Sequence, residues 1–154
     1  MSVSPSVSDL TSPEPAGLLC TRDLMFYSQV SGMAQLVDRR VVVAQDLEGL
    51  YRLCREHRPV CLFLDLMLPG LVIPRDLPMI IQETDDWRPT LIGFGPHVDV
   101  TRLREAQESG CHLVLPRSRF ASTLRELLLN HICRPELKRE AGAENIGENA
   151  GLTP

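Results

Sequence analysis

Apolar residues occur along the chain in five short, uninterrupted runs of four or five residues each. The runs read GLLC, RVVVA, VCLFL, TLIGF and HLVL, and they end at Cys20, Ala44, Leu64, Phe94 and Leu115. Continuous hydrophobicity over such a length is typical of strands that are covered on both faces of a sheet. The pattern therefore predicts five buried strands.

Between these runs, apolar residues recur every three or four positions, which indicates amphipathic helices. Asp46, Asp99 and Ser118 precede three of these segments. We expect them as N-cap residues, because their side chains accept hydrogen bonds from the first amides of a helix. Pro74 is expected in a first helical turn and Gly110 at a helix end. The segments together predict five helices.

The alternation of five strands with five helices predicts an α/β fold. We expect a flavodoxin-like (βα)5 three-layer sandwich, in which a five-stranded parallel sheet of order 2-1-3-4-5 carries helices on both faces. In such folds, ligands and chemistry gather at the carboxyl ends of the strands. Asp65 directly follows the apolar run of the third strand. It is therefore expected at that edge of the sheet.

The length of 154 residues suits one compact domain with tails. We expect a Ser/Pro-rich flexible leader over residues 1–16 and a folded domain over residues 17–133. Residues 134–154 are charged and then rich in Gly, Ala and Asn, so we expect a disordered tail there. No output domain for DNA binding or catalysis is expected after the fifth helix.

Composition narrows the expected partners and compartment. A net charge of −4 offers no global field that would attract nucleic acid or an anionic membrane surface. No apolar run approaches the roughly 20 residues that a membrane span needs. The five cysteines lack CxxC spacing and lie mostly in apolar runs, which is typical of reduced cysteines in a cytoplasmic protein.

The stretch DLMLPG, from Asp65 to Gly70, and the alternation of strands and helices resemble the CheY-like receiver domain of bacterial response regulators. The resemblance covers roughly residues 17–133. In that family, the matching aspartate accepts a phosphoryl group from a histidine kinase, with Mg²⁺ held by nearby acids. The resemblance thus implies a stand-alone signalling domain of the two-component type, with Asp65 as the phosphoacceptor equivalent.

Receivers also resemble one another at three supporting positions: an acidic pair after the first strand, a Thr or Ser after the fourth, and a Lys after the fifth. The acidic pair falls here on Cys20 and Thr21, or on Thr21 and Arg22, and neither choice gives two acids. The hydroxyl position falls on Gly95 and the lysine position on Arg117. These departures imply a degenerate receiver, or pseudo-receiver, with no bound metal or cofactor.

An ion pair is the expected substitute for the missing metal. Arg117 should form a bidentate pair with Asp65 across the sheet edge. Arg22 should reach into the vacated acid position as a second cation. Asp65 would then be a permanently salt-bridged anchor that fixes the surrounding loops.

The loops GFGPHVD and LPRSRF leave a different interpretation open at the same edge. His97, Asp99, Arg117, Ser118 and Arg119 would converge there with free backbone amides at helix starts. Such a setting suits a phosphate or a carboxylate. This arrangement would make the protein a small-anion sensor.

No nucleophile has an assigned base, so we expect no enzymatic activity. Ser118 lies outside a G-x-S-x-G element, and the neighbours Cys111 and His112 point to opposite faces of a strand. The expected function is a phosphorylation-independent protein-interaction module that binds another signalling protein. Homodimerisation through the face of helix 4, strand 5 and helix 5 is a further option. The alternatives are a response regulator phosphorylated on Asp65 with Mg²⁺ and the small-anion sensor.

Overall fold

Five strands alternate with six helices in residues 14–133, the part of the chain that the computed structural model describes. The strands are β1 (Ala16–Cys20), β2 (Arg40–Ala44), β3 (Cys61–Asp65), β4 (Thr90–Gly95) and β5 (Leu113–Pro116). The helices are α1 (Leu24–Leu36), α2 (Leu47–His57), α3 (Ile73–Glu83), α4 (Val100–Glu108), α5 (Arg117–Ser122) and α6 (Leu124–His131). Ala16–Ile132 forms one compact unit. The predicted leader up to residue 13 and the whole predicted tail lie outside the described residues.

All neighbouring strands pair in parallel, in the order β2-β1-β3-β4-β5. This order confirms the predicted flavodoxin-like sandwich. β3 lies at the centre of the sheet, and its last residue, Asp65, is opposite Phe94 of β4. Because the strands all run the same way, their carboxyl ends meet at one edge. That edge, with the loops that follow β1, β3, β4 and β5, is called the Asp65 edge below.

The side chains of β3 alternate between two hydrophobic cores, one on each face of the sheet. Leu62 and Leu64 lie in a cluster with Leu77 of α3. Phe63 lies in the opposite cluster with Phe120 of α5. This alternation follows from the two-residue period of a strand. Since helices cover both faces, β3 is buried along its whole length, as its continuous apolar run predicts.

The two outer strands are less covered than the sequence predicts. β2 and β5 consist mainly of half-buried residues, so the prediction of burial on both faces is wrong for them. An outer strand has a neighbouring strand on one side only, and its apolar run alone does not reveal that position.

Most of the predicted helix boundaries are confirmed by capping contacts. The Asp46 carboxylate accepts a hydrogen bond from the Gly49 amide at 2.7 Å, and Asp99 caps α4 in the same way. Pro74 lies in the first turn of α3. Gly110 follows the end of α4 with a φ of 119°, a conformation that favours glycine.

The last predicted helix differs from the expectation. α5 begins directly after Pro116 and has no side-chain cap, so the prediction of Ser118 as an N-cap is wrong. The fixed φ of Pro116 already suits the position before a first turn. The helix ends at Ser122 and restarts after Thr123, whose hydroxyl donates to the Arg119 carbonyl at 2.7 Å.

The longest described helix, α1, has 13 residues. Within residues 14–133, the helices are too short or too polar to cross a membrane.

Candidate functional site

Asp65 is a buried carboxylate at the end of the central strand, with only 3% of its surface exposed. The next residue, Leu66, donates its amide to the Phe94 carbonyl and continues the pairing of β3 with β4. The chain then turns, and the Met67 amide donates to Oδ1 of Asp65 at 2.9 Å. The loop therefore stabilises one oxygen of the carboxylate by itself.

Thr21 stabilises the other carboxylate oxygen. This residue directly follows β1, and its amide donates to the Ala44 carbonyl of β2. Its hydroxyl donates to Oδ2 of Asp65 at 2.7 Å and accepts the Asp23 amide at 3.0 Å. Thr21 lies in the acid position of the receiver pattern and satisfies Asp65 with a neutral donor.

Arg117, the first residue of α5, divides its guanidinium between two acids. Nη1 donates to Oδ2 of Asp23 at 3.0 Å, and Nη2 lies 3.5 Å from Oδ2 of Asp65. The predicted ion pair of Arg117 with Asp65 is present, but its predicted bidentate geometry is wrong. The shorter of the two Arg117 contacts goes to Asp23 instead.

An aromatic ring completes the Arg117 environment. The guanidinium carbon lies 4.6 Å from the centroid of the Phe26 ring, within cation–π distance. Phe26 in turn packs on Phe94 and Phe120, whose rings stack with centroids 4.3 Å apart. The position of the cation is thus fixed by the aromatic core as well as by the two carboxylates.

Asp23 is a site residue whose link to Arg117 the sequence reasoning missed. Its Oδ1 accepts the Met25 and Phe26 amides and so caps α1. Desolvation opposes ionisation, but these two amides and then Arg117 outweigh it, and the pKa of Asp23 is lowered. The sequence did contain a signal for this link. Asp23 is an acid that closely follows the end of β1, and so it lies at the same edge of the sheet as Arg117.

The prediction that Arg22 is a second cation for Asp65 is wrong. Arg22 is exposed, and within residues 14–133 it forms no hydrogen bond or ion pair with Asp65. It lines an open cleft of about 540 Å³ between the starts of α1 and α2, together with Arg52. Asp23, one residue further on, takes the place next to Arg117 instead.

Gly95 lies buried at the end of β4, where receivers have a hydroxyl. A Cβ built there would lie 3.5 Å from Cβ of Leu66 and 3.6 Å from Cδ2 of Leu103, both ordinary van der Waals distances. The absence of a side chain is therefore not forced by crowding at the Cβ position.

The structure shows individual contacts for some of the proposed anion-site residues. The Asp99 carboxylate caps α4 and pairs with Arg102 at 3.2 Å. His97, Ser118 and Arg119 are exposed or half-buried loop and helix residues. In the described part of the chain, no hydrogen bond or ion pair joins their side chains to Asp65 or Arg117.

A Mg²⁺ ion, which phosphorylated receivers use, does not fit these side chains. Within residues 14–133, no group of three or more His, Cys, Asp or Glu side chains could hold a metal ion. The carboxylates of Asp23 and Asp65 share the guanidinium of Arg117. The donor set is an ion-pair network rather than a set of metal ligands.

The Cys20 thiol, at the end of β1, is not an ionised nucleophile. Burial, followed by the charges of Asp46 and Asp65, raises its pKa to about 12. The sulfur lies 3.6 Å from the Asp46 carbonyl, to which it donates. Cys20 therefore behaves as a small buried side chain.

Comparisons with known proteins identify the fold. No protein-family model matches the sequence, and no curated protein matches it. A signal receiver domain of a response regulator from Bermanella marisrubri is similar with a TM-score of 0.68 and 15% identity, covering 79% of this chain and all of that one. A chain from the co-crystal of the Saccharomyces cerevisiae phosphotransfer protein Ypd1 and the Ssk1 receiver domain is similar with a TM-score of 0.66 and 14% identity, covering 79% and 90% of the two chains.

A third solved structure, the beryllofluoride-activated NtrC4 receiver domain dimer, is similar with a TM-score of 0.61 and 17% identity. It covers 75% of this chain and 98% of that one. At these identities the similarity establishes the fold alone. This chain has the fold of receiver domains, and what it does depends on the residues at the Asp65 edge.

Proposed function

We propose that this protein is a receiver-like signalling module that acts by binding another protein, without phosphorylation of Asp65. One observation carries the proposal: both Asp65 oxygens already accept hydrogen bonds, from Met67 and Thr21, and Arg117 lies beside them. The carboxylate is therefore compensated by protein groups.

Phosphoryl transfer makes demands that these contacts oppose. An attacking carboxylate must approach a phosphorus centre whose charge is neutralised by a metal ion or other cations. Asp65 is buried and its oxygens are engaged. The nearest cation, Arg117, is shared with Asp23. Attack through Oδ2 would compete with the Thr21 and Arg117 contacts, and attack through Oδ1 would compete with the Met67 amide.

The proposed partner is another signalling protein. Ssk1, one of the proteins with this fold, was crystallised through its receiver domain with the phosphotransfer protein Ypd1. The NtrC4 receiver was solved as a dimer. By analogy, this chain either binds a distinct signalling protein or pairs with a second copy through the face of α4, β5 and the predicted fifth helix, which the structure divides into α5 and α6.

The oligomeric option has a direct test. Multi-angle light scattering over a dilution series gives the mass of the particle in solution. A dimer that dissociates in a variant with a charge reversed on the exposed α4 surface, such as Arg104→Glu, would support pairing through that face. A monomer at every concentration would exclude self-pairing and leave a distinct protein as the partner.

Beryllofluoride, a phosphoryl mimic, tests the state of Asp65. We expect amide NMR spectra of the ¹⁵N-labelled chain to stay unchanged at Thr21, Asp65 and Arg117 when Mg²⁺ and beryllofluoride are added. The matched control is Asp65→Asn, which cannot coordinate the mimic as a carboxylate. Saturable shifts at the Asp65 edge that are absent from Asp65→Asn would favour the phosphoacceptor alternative. Shifts with inorganic phosphate alone would favour an anion sensor.

A further inference from the structure

The outer surface of α1 carries no charge. Its 13 residues, LMFYSQVSGMAQL, include no acidic or basic side chain, whereas each of the other helices in residues 14–133 contains at least one. Surface helices of globular proteins usually present charged residues to solvent. In α1, Leu24 and Leu36 instead have 71% and 81% of their surfaces exposed, and Met25 and Tyr27 are exposed as well. An apolar surface that is depleted of charge is typical of a protein–protein interface.

The buried side of α1 determines which residues form its outer face. Phe26, Val30 and Ala34 are buried in the hydrophobic core below the helix. With 3.6 residues per turn, the side opposite Val30 has Ser28 and Gly32 at its centre. Six exposed positions on that side are called the α1 face below: Leu24, Met25, Ser28, Gly32, Gln35 and Leu36.

Gly32, at the centre of the α1 face, is not required by the described part of the chain. Glycine is unfavourable in a helix interior compared with alanine. The φ of Gly32 lies outside the left-handed region that favours glycine. A Cβ at this position would lie in open space, with no contact within 4 Å beyond the adjoining backbone. The missing side chain instead leaves the helix backbone open to close approach by another chain.

The α1 face is also complementary to itself. Its six positions are arranged symmetrically about the level of Val30, the middle residue of α1. A second copy of α1 in antiparallel orientation would therefore place Leu24 beside Leu36 and Ser28 beside Gly32. A two-fold axis repeats each of these contacts. Because the α1 face has no charge, such pairing brings no like charges together there, although each chain has a net charge of −4.

We infer that the α1 face binds the α1 face of a second copy of this chain, as an antiparallel pair about a two-fold axis at the level of Val30. The leucines bury each other at the two ends, and Ser28 and Gly32 let the helices approach closely in the middle. A helix of 13 residues is about 20 Å long, so this contact is smaller than the roughly 800 Å² per partner of a standard interface. We therefore expect a dimer that dissociates on dilution. The pairing involves neither Asp65 nor α4, so its failure would not affect the proposed role of Asp65.

Analytical ultracentrifugation of the full chain over a dilution series tests the pairing. We expect a reversible monomer–dimer equilibrium whose dissociation constant rises at least about tenfold in Gly32→Glu, because like charges at an interface repel. The thermal midpoint of dilute Gly32→Glu should be no lower than that of the native chain, since glutamate is the better helix former. Arg104→Glu, on α4, is the control and should leave the equilibrium unchanged. A native chain that stays monomeric up to about 1 mM, or a dimer that is lost in Arg104→Glu and kept in Gly32→Glu, would overturn the inference.

A pair of complementary charges tests the antiparallel arrangement. Ser28→Glu and Gly32→Lys should each weaken self-association, because each homodimer would hold two like charges near the axis. In a mixture of the two variants, the carboxylate introduced at position 28 would lie opposite the ammonium introduced at position 32 of the other chain. We therefore expect more dimer in the mixture than in either variant alone at the same total concentration. An equal or smaller dimer fraction in the mixture would contradict the antiparallel pair.

Discussion

Asp65 illustrates how protein groups compensate a carboxylate that is buried at a strand end. A buried charge is costly unless it is hydrogen-bonded and paired. Here a hydroxyl, a backbone amide and a guanidinium provide that compensation from three separate segments of the chain. Removal of one donor leaves the carboxylate under-compensated, which makes the role of each donor measurable.

Replacement of Arg117 by alanine should destabilise the fold. We expect the free energy of unfolding to fall by about 1–3 kcal/mol, because Asp65 stays buried without its cation. Arg119→Ala, two positions along the same helix and without a side-chain partner in the described residues, is the matched control and should change stability by less than about 0.5 kcal/mol. Equal urea midpoints for the two variants would show that Arg117 is not an anchor.

Replacement of Thr21 by valine keeps the shape of the side chain and removes the hydroxyl. The hydroxyl satisfies both the Asp65 carboxylate and the Asp23 amide, so we expect a loss of about 1–3 kcal/mol in the free energy of unfolding. Thr101→Val, on the exposed surface of α4, controls for the general effect of the substitution. A loss in Thr21→Val no larger than in the control would disprove the role of the hydroxyl.

The lowered pKa of Asp23 predicts how stability depends on pH. A group whose pKa is lower in the folded state stabilises the fold above its unfolded pKa, which is about 3.9 for aspartate, and loses that effect as the pH falls through the folded value. Asp23→Asn should therefore be less stable than the native chain at neutral pH, by about 1 kcal/mol or less. The difference should shrink below about pH 4. Urea unfolding across this range would contradict the prediction if the difference stayed constant.

The sequence predicted Asp65 and Arg117 as partners because both follow strands whose ends meet at one edge. It did not predict that Asp23 would take the shorter contact, nor that Arg22 would face away from Asp65. Those outcomes depend on side-chain directions in the loop after β1. A loop has no helical or strand periodicity from which these directions could be predicted. The spacing of residues in the sequence predicts the loop in which a residue lies. The hydrogen bonds within that loop determine which atoms its side chain contacts.

At the scale of the elements, strand positions followed from hydrophobic runs with small shifts at their ends. β3 extends one residue beyond its apolar run to include Asp65. The break between α5 and α6 at Thr123 was not predicted, because the apolar spacing of Leu124, Leu127 and Leu128 continues a helical pattern. Periodicity detects the buried face of a helix, but it does not detect an interruption of the backbone.

Two glycines at element ends give opposite predictions for substitution by alanine. Gly110 has a φ of 119°, and a Cβ there would lie directly against Cδ1 of Ile81, so Gly110→Ala should cost about 1 kcal/mol or more in stability. Gly95→Ala would make only ordinary contacts and should have a smaller effect. Thermal unfolding of the two variants provides the comparison. A larger loss in Gly95→Ala than in Gly110→Ala would contradict this interpretation of the two positions.

At the scale of the whole molecule, the fold is shared with receiver domains at identities of 14–17% in the three structures described above. A shared fold does not determine function, which depends on specific residues at the site. At the Asp65 edge of this chain, a threonine and an arginine contact the carboxylate.

Intact-mass spectrometry shows directly whether Asp65 accepts a phosphoryl group. The full chain and the Asp65→Asn variant are incubated with Mg²⁺ and a small phosphodonor such as phosphoramidate, and their masses are compared. We expect both to remain unmodified, because Thr21, Met67 and Arg117 keep the carboxylate engaged. A stoichiometric phosphoryl adduct on the native chain that is absent from Asp65→Asn would contradict the role of Asp65 as an anchor.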